Sequence, residues 1–183
     1  MRVHLDEIKE KPAKLWYEVN PDQFPALAEI NAKGECDFIS SLIFDLTVSL
    51  SGKMVMVEGR FHTRVILTCS RCLAAFESPL ETRFFLTFTP QSTDAPAFGA
   101  QDDIELESED IGLISFVGEE IDLKEALQEE VVMALPMQPL CKPDCKGLCT
   151  RCGADLNEGE CGCNQKVINP QFAALQGLKI IKK

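Results

Sequence analysis

The sequence predicts an α+β protein: a small antiparallel β-sheet or partial barrel, with a C-terminal helix and a zinc-ribbon-like cysteine segment. Three observations carry that prediction. Residues 38–90 hold alternating and β-branched runs punctuated by turn residues. Residues 122–136, DLKEALQEEVVMALP, repeat apolar groups at helical spacing. Residues 140–163, LCKPDCKGLCTRCGADLNEGECGC, gather six of the nine cysteines in the chain.

The elements follow in order. In LIFDLTVSL, residues 42–50, Leu42, Phe44, Leu46, Val48 and Leu50 share one face of a half-buried strand. Ser51-Gly52 is a turn, and KMVMVEGRFHTRVILTC continues as two β segments pivoting at Gly59, where a bulge or bend is expected. Arg60, His62 and Arg64 should face away from Phe61, Val65 and Leu67. A third extended run, ETRFFLTFTP, follows the short connection CSRCLAAFESP. Residues 91–120 read as an acidic loop with one short strand at Leu113–Val117. Asp122 caps the helix with Glu125 three residues on, Leu123, Leu127, Val131 and Leu135 form its apolar stripe, and Pro136 ends it. Asn169-Pro170 then starts a last short helix, NPQFAALQGLK, with Phe172, Leu175 and Leu178 inward. The expected organisation is 1–90, an N-terminal region with the β core; 91–120, the acidic loop; and 121–183, helix, cysteine-rich zinc-binding segment and C-terminal helix. Together they are expected to make one structural unit.

At 183 residues the chain can bury a core without cysteine staples. Its N-terminus, MRVHLDEIKEKPAKLWYEV, lacks the apolar core of about 7–15 residues that a signal peptide needs, and no run approaches the roughly 18 apolar residues of a membrane span. A cytoplasmic protein with no membrane partner is therefore expected. In a reducing compartment thiols are metal ligands or catalytic groups more often than disulfides.

Enzymatic signals are sparse. His4 lies in what reads as a mobile terminus and His62 on the polar face of a strand. Ser51-Gly52-Lys53 lacks the other residues of a phosphate-binding loop. These features predict a non-enzymatic binding or assembly protein with no small-molecule substrate. The net charge of −11 argues against a broad grip on nucleic acid, and it is uneven. From Gln91 to Glu130 there are thirteen acidic residues and one basic, Lys124.

The cysteine spacing is C141-x3-C145-x3-C149-x2-C152-x8-C161-x-C163, with C69-x2-C72 far upstream. In CTRCG the tight turn aims two thiolates at one ion, and Gly153 permits φ > 0 so that N–H groups can point at sulfur. In Cys161-x-Cys163 an extended backbone would put both side chains on one face. Cys149, Cys152, Cys161 and Cys163 thus form a first candidate zinc site, closed by the short loop GADLNEGE. Zinc binding, worth about 10–16 kcal/mol in finger peptides, would order this segment, which should be disordered without metal.

Cys69, Cys72, Cys141 and Cys145 are the candidates for a second site that staples the β region to the C-terminal segment, giving one or two Zn2+ per chain. Other arrangements stay open: Cys141 or Cys145 could enter the first site, a cluster of iron and sulfur could replace zinc, and Cys69 and Cys72 could be a redox pair. The spacing Cys145-x3-Cys149-x2-Cys152 also matches radical S-adenosylmethionine enzymes. The remaining chain is too short for their β/α barrel, so the match should be accidental. Lys142, Lys146, Arg151 and Lys166 could offset the charge of the thiolates. Cys36 stands alone as a structural or surface thiol.

CSRCLAAF, the helix end EEVVMALPMQPLC and the terminal NPQFAALQGLK, in this order, resemble the YceD family of large ribosomal RNA subunit accumulation proteins. KGLCTRCGADLNEGECGC is similar to a cysteine-rich insertion in many members, so the chain resembles their cysteine-rich subtype. The matching residues are Cys69, Arg71, Cys72, Glu129 to Pro136, Asn169, Pro170, Phe172 and Leu175. The resemblance implies a bacterial cytoplasmic factor supporting large-subunit ribosomal RNA accumulation and ribosome assembly. Since some members lack the C-terminal cysteines, the shared role need not require zinc.

Charge sharpens the expected mechanism. Residues 91–130 should dock a basic large-subunit ribosomal protein. Direct contact with a ribosomal RNA precursor would instead use Arg60, Arg64, Arg71, Lys142, Lys146 and Arg151, or Lys179, Lys182 and Lys183. The alternative from another class is a thiol redox protein using Cys69 and Cys72.

Overall fold

The computed structural model describes residues 1–91 and 112–163. Along the chain these form β1 (Arg2–His4), α1 (Leu5–Ile8), β2 (Ala13–Val19), a 3-10 turn (Pro21–Gln23), α2 (Pro25–Ala32), β3 (Asp37–Phe38), β4 (Leu42–Ser51), β5 (Met54–Thr68), β6 (Ala75–Pro90), β7 (Leu113–Phe116), β8 (Glu120–Asp122) and α3 (Lys124–Ala134). The α+β class is as expected. The main sheet runs β2-β4-β5-β6-β7, with β3 also on β5, and a two-stranded sheet pairs β1 with β8.

Pairing is mostly antiparallel, as in β4 against β5, where Phe44 faces Phe61 and Leu46 faces Gly59. One pair departs from that pattern: β7 runs parallel to β6, with Thr87 opposite Leu113 and Pro90 opposite Phe116. Parallel neighbours need a crossover of a dozen or more residues, and the acidic stretch between Gln91 and Gly112 provides that length. Of the acidic segment, residues 92–111 lie outside the described residues. So do the expected helix from Asn169 and the side chains of Lys166, Lys179, Lys182 and Lys183.

Alternation explains the core. Along β5, Val55, Val57, Phe61, Val65 and Leu67 are buried, while Arg60, His62 and Arg64 are exposed. Phe24, Phe44, Phe61 and Phe84 form a row of rings with successive centroids 6.3, 5.8 and 6.4 Å apart. Leu27 of α2 and Leu123, Leu127 and Val131 at α3 are also fully buried.

β5 runs through Gly59 as one strand with an unbroken register against β4, contrary to the expectation of two segments. The glycine is there because a Cβ would stand 2.7 Å from both Leu46 Cδ2 and Phe84 Cε2, inside the core. β6 starts at Ala75, earlier than the expected third run. Pro79 is tolerated because β7 pairs only with Thr87–Pro90 of this strand, so that among the described residues no strand pairs along that edge of its N-terminal part.

The N-terminus is not the mobile segment its charge suggested. Val3 is buried, β1 pairs with β8, the Leu123 N–H donates to the Met1 carbonyl, and the Leu5 N–H donates to the Glu119 carbonyl. Asp122 does cap the start of α3, but through the Lys124 N–H at 2.9 Å. Leu135 lies beyond the helix at φ −65°, ψ 130°, the extended conformation imposed on a residue preceding proline.

The chain divides into two compact units. Met1–Leu67 with Glu77–Met137 make the first, and Thr68–Phe76 with the described chain from Gln138 make the second. All six cysteines of residues 140–163 and the Cys69–Cys72 pair fall in the second.

Candidate metal centres

Two stretches of the second unit fold alike, Cys69-Ser70-Arg71-Cys72-Leu73-Ala74 and Cys149-Thr150-Arg151-Cys152-Gly153-Ala154. In the first, the Cys69 N–H donates to the Ala74 carbonyl and the Leu73 N–H to the Cys69 carbonyl, both at 2.9 Å. In the second, the Cys149 N–H donates to the Ala154 carbonyl and the Gly153 N–H to the Cys149 carbonyl, both at 2.8 Å. The residue after the second cysteine is left-handed in each, Leu73 at φ 60° and Gly153 at φ 75°. The pattern Cys-Ser/Thr-Arg-Cys-x-Ala therefore occurs twice and marks two thiol-presenting turns, a repeat that spacing alone did not bring out.

These turns meet the remaining thiols in two groups. Cys69, Cys72, Cys141 and Cys145 have sulfurs all within 4.8 Å of one another, and so do Cys149, Cys152, Cys161 and Cys163. Cys145 does not join the second of these, so the Cys145-x3-Cys149-x2-Cys152 spacing does not describe one cluster. Cys161 and Cys163 converge about Gly162 at φ 70°, not through the extended backbone expected. The long-range group is enclosed: Cys69, Cys72 and Cys145 are buried against Phe76, Leu140 and Leu148. The local group is more open, with Cys149 buried and Cys152 exposed.

The donor sets fit a tetrahedral ion. Sulfurs at about 2.3 Å from zinc stand about 3.8 Å apart. Cys69 Sγ is 3.8 Å from Cys145 Sγ, and Cys72 Sγ is 3.6 Å from Cys141 Sγ. Both separations far exceed the roughly 2.05 Å of a disulfide, and all nine cysteines are free thiols.

Electrostatics agree with that geometry. The N–H groups of Cys141 and Cys72 bring the Cys69 thiol down to about 6 from its ordinary 9.0. Those of Cys152 and Arg151 bring Cys149 to about 6 as well. Burial raises Cys145, but the Asn157 amide and the Gly147 N–H outweigh it and leave the thiol lowered. Burial and then the neighbouring sulfurs push Cys141 up to about 12. Cys152 and Cys161 push Cys163 up to about 12. Four thiolates cannot all ionise in so small a volume without a cation to offset them. Each group could hold a metal ion.

Among the described residues the donors that reach sulfur are backbone N–H groups and the Asn157 amide, where the sequence had suggested lysine and arginine side chains. Arg71 acts on the framework instead, its Nη1 donating to the Cys145 carbonyl at 2.8 Å. Cys36 is buried in the other unit, and that burial, with Asp37 beside it, raises its thiol to about 11. Among the described residues no helix is long and apolar enough to cross a membrane.

Fold and site together define an α+β protein bearing a cysteine-rich module with two four-thiol groups able to hold metal. The chain belongs to the family of large ribosomal RNA subunit accumulation protein YceD, whose model matches residues 57–179. Uncharacterised proteins of Mycobacterium tuberculosis and Mycobacterium bovis are 34% identical over 136 residues, 73% of this chain and 60% of theirs. The Arabidopsis thaliana protein named large ribosomal RNA subunit accumulation protein YCED homolog 1, chloroplastic, is 25% identical over 145 residues, 69% of this chain and 45% of its own length. The chain thus spans 60% or less of the length of these relatives. No solved structure matches it.

Proposed function

We propose that this chain is a non-enzymatic, cytoplasmic factor that supports large-subunit ribosomal RNA accumulation and ribosome assembly, with structural zinc in both four-cysteine groups. The family match over residues 57–179 is the observation that carries the reading, since the family is named for that process. A single zinc ion is favoured over a larger cluster because the four sulfurs of each group lie within 4.8 Å of one another, the spread of ligands about one tetrahedral ion. Cys69, Cys72, Cys141 and Cys145 would hold one ion, and Cys149, Cys152, Cys161 and Cys163 the other. Bound zinc would supply charge compensation and cross-linking, with no chemistry on a substrate.

The partner proposed is a basic ribosomal protein of the large subunit, docked by the acidic segment. Within that segment, Glu125 and Glu129 lie exposed on α3, and Glu120 and Asp122 flank its start. Direct docking of precursor RNA ranks second. Two of the arginines that would serve it are paired within the chain: Arg60 with Asp45 at 3.0 Å, and Arg64 with Glu77. Such exposed pairs are worth at most about 1 kcal/mol, so they lower the ranking without removing the reading. A redox role for Cys69 and Cys72 is disfavoured because Cys141 and Cys145 crowd the same sulfurs.

Mixing the zinc-loaded chain with purified basic large-subunit ribosomal proteins tests the partner. A complex is expected at low salt and should weaken as ionic strength approaches about 1 M, where charges are screened beyond about 3 Å. Tight binding to ribosomal RNA with no protein partner would reverse the ranking.

A further inference from the structure

Asn157 belongs by sequence to the loop that closes the local group, between Cys152 and Cys161. Its carboxamide, however, serves the other group. Asn157 Nδ2 donates to Cys145 Sγ at 3.4 Å, while its Oδ1 accepts the Lys146 N–H at 2.9 Å. The amide is aimed from its own side as well: Asp155 Oδ1 accepts from Asn157 Nδ2 at 2.7 Å and from the Asn157 N–H at 2.8 Å. Both ends of the carboxamide are thus fixed, and the nitrogen can only be the atom facing sulfur.

The loop is tied to the strand of chain between the groups by main-chain bonds too. The Leu156 N–H donates to the Gly147 carbonyl at 2.9 Å, and Leu148 bridges Asp155. Gly147 and Leu148 are in turn held by Arg71, whose carbonyl accepts the Leu148 N–H at 3.1 Å. A donor to a ligating sulfur stabilises the thiolate and so tightens the metal. That donor is in place only while the loop from Gly153 to Glu160 is ordered, and an ion at Cys149, Cys152, Cys161 and Cys163 would add to what orders it.

From this juxtaposition we infer that Asn157 is a positioning residue that couples the two metal groups, so that filling the local group tightens binding in the long-range group. The inference rests on the two-ion reading above. Its physical content is one hydrogen bond whose donor and acceptor belong to different sites. Loss of metal from the more open local group should then promote loss from the enclosed one, and the module should empty in one concerted step.

The test loads the full chain with cadmium-113 and follows each ion by its own nuclear resonance during titration with a chelator. In the unmodified chain two all-thiolate resonances should disappear together. Asn157→Asp keeps the shape and the acceptor for Lys146 but removes the donor to sulfur. It should weaken each ion by the same factor, about 10–100-fold, while the other is bound, because linkage is reciprocal, and the two resonances should then disappear separately. A paired Cys161→Ser and Cys163→Ser variant should weaken the ion of Cys69, Cys72, Cys141 and Cys145, and adding Asn157→Asp to it should cost nothing more, because the loop that aims the amide is already loose. Additive effects, weakening of only one ion by Asn157→Asp, or independent release in the unmodified chain would overturn the coupling. Absence of both resonances would overturn the metal reading itself and the coupling with it.

Discussion

Two glycines of the cysteine module separate two reasons for glycine. Gly153 has φ 75° and open space where a Cβ would sit, so Gly153→Ala should cost only the left-handed conformation, about 1–2 kcal/mol. Gly147 has φ 73° and, in addition, the Arg71 carbonyl oxygen 3.0 Å from the would-be Cβ. Gly147→Ala should therefore cost more than Gly153→Ala, as read from thermal unfolding of the metal-loaded protein; equal losses would count against the packing at Arg71. Leu73 shows that the left-handed position tolerates a side chain when the turn demands it, at the same kind of cost.

The thiols also set a direction for acidity. Cys69 and Cys149 are held near 6 in the fold against an ordinary 9.0, so the folded module binds fewer protons than the unfolded chain between those values. Their stabilising contribution is complete above about 9, declines as pH falls, and is gone below about 6. A bound ion competes with protons and holds its thiolates ionised further, so metal per chain on dialysis should stay constant at pH 7.5 and fall progressively in acid. Metal content independent of pH down to about 3 would contradict the thiolate assignment.

At the level of elements, the tightest constraint outside the metal module is Gly59. Gly59→Ala drives a methyl against Leu46 and Phe84 and should destabilise by about 1–3 kcal/mol in urea unfolding, with Gly34→Ala, at an open turn, as the comparison for conformation alone. The sequence showed this glycine but not its purpose, because alternation reveals the face of a residue and not what lies across the sheet. β4 and β5 were legible since their alternation is long and regular. β2 was not: Trp16, 58% exposed, stands on the outward face and spoils the pattern of Ala13, Leu15, Tyr17 and Val19. β1 has only three residues and owes its existence to pairing with β8, a partner over a hundred positions away. The thiols were the most legible part, because short spacings between metal-binding side chains carry their own geometry. The meeting of Cys69 and Cys72 with Cys141 and Cys145 followed only from leftover pairs, and Asn157 gave no signal, since an asparagine in a glycine-rich loop reads as turn chemistry.

Across the whole molecule, the β core and the metal-binding thiols fall in different units. The first unit contains the sheet, its helices and most of the acidic residues near α3, while the second contains every thiol except Cys36. The Cys69–Cys72 turn interrupts the first unit in sequence yet belongs to the second, so an ion held there would close a loop of chain from Cys72 to Cys141. Closing a loop of that length should matter for folding as well as for the module, because the constraint falls on the unfolded chain. Stripping metal should therefore lower the unfolding temperature of the whole protein, whereas an unchanged temperature would confine the effect of metal to the cysteine module.

Each of the two four-thiol groups should hold one zinc ion. Elemental analysis of purified protein, combined with its mass under native conditions, tests this most directly. Two zinc ions per chain are expected, falling to one when Cys69 and Cys72 are both changed to serine. One ion per chain, unchanged by that double substitution, would leave Cys69 and Cys72 without a metal role, and no ion at all would remove zinc from both groups.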